Sequence, residues 1–361
     1  MRLIPTSRAA GFQLARDIPA PDSKQMPLLR AGAKLTPRYT AALADARIHT
    51  VWVHDQLSEG IEPVDLVPPH VREEAARTVT DALTASREAF QTRQPISPEV
   101  MSELSRIVEQ IARAIAGHRG AALVLSDLAS ADAYTHQHSI DVCALGLLLG
   151  RTLFSRAGWQ DYKGRHRVDG VDRRLHYLGL GLLLHDVGKL AISAEILNKP
   201  GRLTAEELEV MRTHPEIGTE LIADDSYSPI VRAIVREHHE RWDGRGYPQG
   251  LAGDNIHQLA RIAAVADVYD AVTSERPYQT ARPSHVGVDI ILSNAGTQFD
   301  PEVVEVFRRV VFPFPVGSEV TLPSGAVGVV AEVDPDAPDR PLVRFAEGER
   351  HVDVAAVARA A

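Results

Sequence analysis

The sequence predicts a mainly α-helical protein with a small β-containing appendage at each end, and three observations carry that expectation. From about residue 118 to 310 the apolar residues recur with helical spacing, and several stretches are apolar all round, the pattern of buried helices. Near the two ends, residues 48–53 and then 318–330, 342–346 and 351–354 alternate like strands. At 361 residues the chain exceeds what one core usually serves, which favours two domains or one domain with appendages.

Residues 1–57 read as a small α/β or β-rich unit, with apolar Leu28 and Leu29, a turn at Ala31-Gly32 and a strand from Ile48 to Val53. Between them Thr36 and Pro37 have the character of N-cap and first helical residue, predicting a short helix to about Ala46. Residues 58–117 are expected to hold a proline-bearing linker, Glu59 to His70, and a connecting helical hairpin. Its helices span about 71–91 and, after Ser97-Pro98, 98–116.

Residues 118–312 form the main helical unit. Within it, Gly164 to Arg174 carries five basic residues and reads as a solvated loop between helices rather than a phosphate site. Residues 313–361 form the β-rich C-terminal appendage, punctuated by Pro323-Ser324-Gly325, Asp334 to Asp339 and Glu347-Gly348-Glu349. The chain has no internal repeat and no low-complexity tract.

Composition narrows the function. Hydrophobic residues at 44% and charged residues at 24% are ordinary for a globular protein. No apolar run reaches the roughly 18 to 20 residues of a membrane span, and residues 1–17 lack the apolar stretch of a signal peptide, so the expected location is cytoplasmic. The net charge of −9 argues against binding a nucleic-acid polymer, and a polyanionic substrate would need local cations. The single cysteine, Cys143, excludes an internal disulfide and reads as a buried structural thiol.

The chemistry concentrates in the helical unit. In LLLHDVGK, residues 182–189, His185 and Asp186 close an apolar helix just before Gly188. A buried carboxylate there costs several kcal/mol unless paired or bound to a cation. Asp267, inside the apolar run 260–274, poses the same problem. His138, His214, His238 and His239 each carry little weight alone, since a lone helical histidine is more often structural. Together with His185 they make five histidines and two aspartates without thiolates, a ligand set suited to iron, manganese or zinc. Seven ligands exceed one tetrahedral centre, and a carboxylate can bridge, so two metals sharing Asp186 is the natural arrangement. His136 falls on nearly the opposite side of its helix from His138 and is left out. His166, His176, His257, His285 and His351 have no acidic or apolar context that singles them out.

HDVGK, ILNKPGRLTAEE, HPEIG, HHERWDGRGYP and ADVYDAVTSERPY follow one another in the order of the HD-GYP family. The sequence therefore resembles the cyclic di-GMP phosphodiesterase branch of the HD hydrolases, with HHExxxGxGYP at His238 to Pro248. The resemblance implies an all-α HD-type bundle around a centre of two divalent metals, iron or manganese. His138, His185, Asp186 and Asp267 would hold one, and Asp186, His214, His238 and His239 the other. Lys189 would reach a substrate phosphate, and Tyr247 and Arg276 would line the cleft. Thr204 and Glu207 are expected to form a capping box for the helix that carries His214.

The implied reaction is hydrolysis of a cyclic dinucleotide, cyclic di-GMP to pGpG or as far as GMP, by metal-activated water. One departure touches specificity. Where the family carries Lys or Arg after RPY, this sequence has Gln279, which loses a charge and opens a preference for another cyclic dinucleotide such as 3′,3′-cGAMP. Tyr134 stands where a three-metal type would carry a glutamate ligand. A phenol with pKa near 10 is a poor ligand at neutral pH, so two metals are expected. The alternatives are an HD phosphohydrolase for another nucleotide and a non-hydrolytic cyclic-dinucleotide sensor or scaffold. Expected partners are the dinucleotide and a second copy of the chain or a signalling protein.

Overall fold

Periodicity and turn chemistry resolve into a helical bundle with a small sheet at each end. The computed structural model describes residues 1–18, 27–46, 48–92, 94–117, 134–160, 165–199, 201–222, 228–274 and 281–357, without the side chains of 88–90, 92, 134–136 and 160. In chain order the elements are β1 (Arg2–Pro5), β2 (Gln13–Leu14), α1 (Pro37–Asp45), β3 (Thr50–His54), α2 (Pro69–Thr92), α3 (Pro98–Ile115), α4 (Tyr134–Ala157), β4 (Trp159–Gln160), β5 (His166–Arg167) and α5 (Val171–Leu184). After a 3-10 turn (Val187–Ala191) come α6 (Ala194–Leu197), α7 (Ala205–Met211), α8 (His214–Leu221), α9 (Pro229–Glu237), α10 (Gln258–Thr273), α11 (Ser284–Ser293) and α12 (Pro301–Val310). The chain finishes with β6 (Glu319–Thr321), β7 (Val327–Glu332), β8 (Leu342–Phe345) and β9 (Gly348–His351).

The N-terminal unit is an antiparallel sheet in the order β1-β3-β2 with α1 beside it, closed over Ile4, Leu14, Leu35, Leu43 and Val53. Thr36 caps α1 by accepting from the Tyr39 amide at 3.2 Å, and Pro37 fills the first position, where its missing N–H is harmless. The four residues of β1 are too short for an alternation to be read; their partner in the sheet lies some fifty positions on.

At the other end Pro323-Ser324-Gly325 splits the expected strand into β6 and β7, and an antiparallel sheet β6-β7-β8-β9 covers Phe314, Val330, Val343 and Phe345. The last strand lies earlier than 351–354. Gly348 turns the chain straight into β9, and Asp353 then caps a 3-10 turn at Val354–Ala356.

The two terminal units meet each other. The Leu3 amide donates to Gly317 O at 3.0 Å, and Arg2 bridges Asp55 at 2.7 Å and Glu319 at 2.9 Å. Gly317 has φ 86°, and a Cβ there would come within 2.7 Å of both Trp52 and Pro63, so only glycine permits this approach.

The main core joins α4, α5, α9, α10 and α12 through residues such as Leu148, Leu178, Ile234, Ile262 and Phe307. The 58–117 hairpin shares it: Val79 of α2 and Ile107 and Ile111 of α3 lie in the same cluster. Arg72 ties α2 to α4 through Asp141 at 2.5 Å, deep enough to be nearly dry. Two details differ from expectation. The described part of the 164–174 stretch, 165–174, is no simple loop: β5 pairs antiparallel with β4, α5 begins at Val171, and Arg174 is buried. The capping box of Thr204 and Glu207 belongs to α7, which ends at Met211, and His214 opens a separate helix. Pro215 explains that break, since a helix running through it would lose a hydrogen bond and clash with the preceding turn. Among the described residues no helix is long and apolar enough to cross a membrane.

Candidate metal centre

The seven expected ligands come from five places in the bundle. His138 projects from α4, His185 caps the C-terminus of α5 with Asp186 next to it, His214 starts α8, His238 caps α9 with His239 following, and Asp267 sits mid-way along α10. The close approach of α8 to the HD turn depends on Gly188, whose added Cβ would lie 1.9 Å from His214 O.

The histidines are oriented before any ligand arrives. Nδ1 of His185 donates to Leu182 O at 2.7 Å, Nδ1 of His214 to Met211 O at 2.7 Å, and Nδ1 of His238 to Val235 O at 2.9 Å. A carbonyl only accepts, so the proton of each neutral ring sits on Nδ1 and the lone pair on Nε2 points inward. His138 is oriented by a carboxylate instead, its Nδ1 donating to Asp270 Oδ2 at 2.5 Å.

The inward atoms converge. His214 Nε2 lies 3.3 Å from Asp186 Oδ1 and 3.4 Å from His238 Nε2, and His138 Nε2 lies 3.2 Å from Asp267 Oδ1. His185 Nε2 is 3.4 Å from Asp186 Oδ2, while His239 turns Nδ1 toward Asp267 Oδ2 at 3.9 Å. Asp186 shares one tight group of donor atoms with His214, His238 and His239 and another with His138 and His185. His185 Nε2 and Asp186 Oδ1 are buried with no hydrogen bond of good geometry. Lone pairs gathered this way repel unless positive charge sits among them, so the donor set fits divalent metal ions.

The electrostatics point the same way. Burial opposes the charge of Asp186, yet Lys189 and His185 outweigh it and hold the carboxyl well below its usual range. Burial, then the neighbouring histidines, keep His238 neutral, and burial pushes His239 down to about 3. His138 goes the other way: burial is overcome by Asp267 and Asp270, which raise it to about 9. Lys189, expected at a substrate phosphate, donates Nζ to Asp186 Oδ2 at 2.6 Å, the nearest strong negative charge.

Tyr247 closes one side, its ring stacked on His239 at 4.8 Å with the Arg212 guanidinium 5.5 Å from its centre. Burial raises the phenol, so it stays a proton donor. The loop that presents it is fastened by buried Glu240, which accepts from the Gln249 amide at 2.7 Å and the Leu251 amide at 3.0 Å.

With this geometry in place, the relatives are informative. Residues 167–303 match the family model described as an HD domain. A cyclic di-GMP phosphodiesterase of Pseudomonas aeruginosa, PA4108, is 40% identical over 63% of this chain and 51% of its own length. The response regulator RpfG of Xanthomonas campestris, also named a cyclic di-GMP phosphodiesterase, is 44% identical over 35% of this chain and 34% of its own. A 3′3′-cGAMP-specific phosphodiesterase of Vibrio cholerae is 40% identical over 34% and 24%. The chain thus spans about half or less of the relatives it matches. Their likeness, joined to an HD pair and an HHE–GYP loop on one centre, supports an HD-GYP family assignment.

Two expected substrate contacts, Arg276 and Gln279, lie outside the described residues, as does the side chain of Tyr134, the first residue of α4. Sequence reasoning missed Asp270 and gave Glu240 no role of its own. Asp270 is fully buried in the same apolar run as Asp267, so the cost that singled out one acid applied equally to the other.

Proposed function

We propose that this HD-GYP protein is a metal-dependent phosphodiesterase that opens a cyclic dinucleotide, taking cyclic di-GMP to pGpG and on to GMP. The observation that carries the reading is the trio of buried His185, His214 and His238, whose Nδ1 atoms are committed outward to carbonyls while their Nε2 atoms converge on Asp186 and, from His185, on Asp267. His138, His185, Asp186 and Asp267 would hold one divalent ion, and Asp186, His214, His238 and His239 a second, iron or manganese by ligand chemistry. Such ions, when bound, lower the pKa of water at the centre and offset charge on phosphoryl oxygens.

The chain's own side chains do the remaining work. Lys189 exchanges its bond to Asp186 for a substrate phosphate oxygen, a charge-assisted contact from a flexible stem. Tyr247, protonated and held against His239, donates to the substrate and limits the access of water. Arg276 adds charge at the phosphates. Gln279 supplies an amide where a cation is usual, which leaves 3′,3′-cGAMP as a second substrate.

Linearisation of both dinucleotides by the full chain, as isolated and after metal stripping, tests the reading. Metal-dependent formation of pGpG is expected; no linear product from either substrate with fully loaded protein overturns it. Tyr134 offers a phenol where a third ion would need a carboxylate, so elemental analysis should find two metals per chain. A fully occupied third site held through residue 134 would refute that number.

A further inference from the structure

The arginine-rich stretch first read as a solvated loop lines a cavity of about 1030 Å³ at the N-terminal ends of α5, α9 and α10. Arg174 is 6% exposed there, its guanidinium 4.4 Å from the centre of the Trp159 ring and 5.3 Å from that of Phe154. Nη2 donates to Gln258 Oε1 at 2.9 Å, and Nε is buried without a partner. Among the described residues no carboxylate pairs with it. The contrast with buried Arg2 and partly buried Arg261 is direct: Arg2 meets Asp55 and Glu319, and Arg261 meets Asp254 and Asp300. Burying a cation without a counter-charge is costly, and arginine cannot escape by losing its proton.

The walls add donors. Arg165, Arg167, Arg173 and Arg261 line the same cavity, against the carboxylates of Asp169, Asp254 and Glu302. Asp169 is already held by Arg167 at 2.7 Å, Asp254 by Arg261 at 3.0 Å, and Glu302 is exposed. The N-cap of α5 is Gly170, which has no side chain to satisfy the first-turn amides. At α10, His257 Nδ1 accepts from the Leu259 amide at 3.2 Å; burial and then Arg174 and Arg261 lower its pKa to about 4, so the ring is neutral and Nε2 carries the proton. Positive helix ends and arginines therefore converge on one space.

We propose that this cavity is a second ligand site, separate from the metal centre, that binds the phosphate oxyanion of a small phosphorylated molecule. The space is large enough for a nucleotide-sized ligand. It lies at the far ends of the helices whose C-termini carry His185 and His238; nine residues of α9 span about 13 Å. The inference rests on this geometry and not on the proposed reaction.

Calorimetric titration of the full chain with pyrophosphate and with ADP, without added divalent cations, tests it. One saturable site is expected, with an affinity that falls as salt rises and survives Asp186→Ala. Arg174→Gln should weaken it about tenfold or more, as should Arg173→Glu, an exposed position that decides the matter if the buried variant fails to fold. Tighter binding of ADP would make a base part of the ligand, and equal binding would make the oxyanion the whole of it; either upholds the site. Absence of binding by the wild type overturns the proposal. So does binding that ignores both arginine substitutions and disappears with Asp186→Ala.

Discussion

Asp186 touches more of the centre than any other side chain, facing His138, His185, His214, His238 and Lys189 within 4 Å. Asp186→Ala should therefore remove both metals and all hydrolysis, and wild-type metal content in that variant would end its bridging role. Lys189→Ala should keep its metal and lose about 100-fold in turnover, the scale of one lost donor to a developing charge. Elemental analysis beside single-turnover rates separates the two. Asp270 acts one step further out, by orienting His138. In Asp270→Asn the metal affinity should drop about 10- to 100-fold, measured by competition with a chelator, while the fold persists. These residues differ in how readable they were. An acid or histidine in an apolar helix announces a cost that must be met, which is why the seven ligands stood out. That Asp270 meets the outer edge of a ring on α4, and not solvent, depends on a helix contact that no spacing within α10 encodes.

At the scale of elements, the GYP loop hangs on Glu240, whose two oxygens serve two different amides. Glu240→Gln leaves one oxygen and turns an N–H toward the other donor, so one amide loses its acceptor. A loss of about 1 to 3 kcal/mol follows for an unsatisfied buried group. The expected signs are faster hydrogen exchange at Gln249 and Leu251 and a lower Tm with metal content unchanged; unaltered exchange at both amides would count against the clamp. Helix starts were well marked in the sequence where a cap and a proline coincide, as at Thr36-Pro37 and Ser97-Pro98. The division between α7 and α8 was legible in principle, because Pro215 interrupts the run, but the apolar pattern continues across it. Arg174 was misjudged for a different reason. A basic cluster is usually solvated, and only the tertiary fold drops one member between Trp159, Phe154 and the end of α10.

For the molecule as a whole, stability should depend on pH in a way that metal changes. His239 and His257, lowered to about 3 and about 4 by burial, stay neutral in the fold, whereas the unfolded chain protonates them near 6.5. Their contribution is complete above about 6.5 and is lost as pH falls toward those values. His138, raised to about 9 against its burial by Asp267 and Asp270, contributes fully below 6.5 and loses that contribution as pH rises through about 9. Metal-stripped protein should thus be most stable near pH 6.5. Loading removes the alkaline decline, since a ligating imidazole is already deprotonated. Thermal melts from pH 4 to 9.5, with and without metal, check this, and identical alkaline limbs would contradict it. The joining of the terminal units has a separate consequence for the order of biosynthesis. Arg2 finds Asp55 early, but Glu319 stands 317 residues beyond it and Gly317 scarcely nearer. A ribosome therefore completes the helical bundle and its ligands while the flank of Trp52 still waits for cover, and the sheet made after the bundle seals the one made before it.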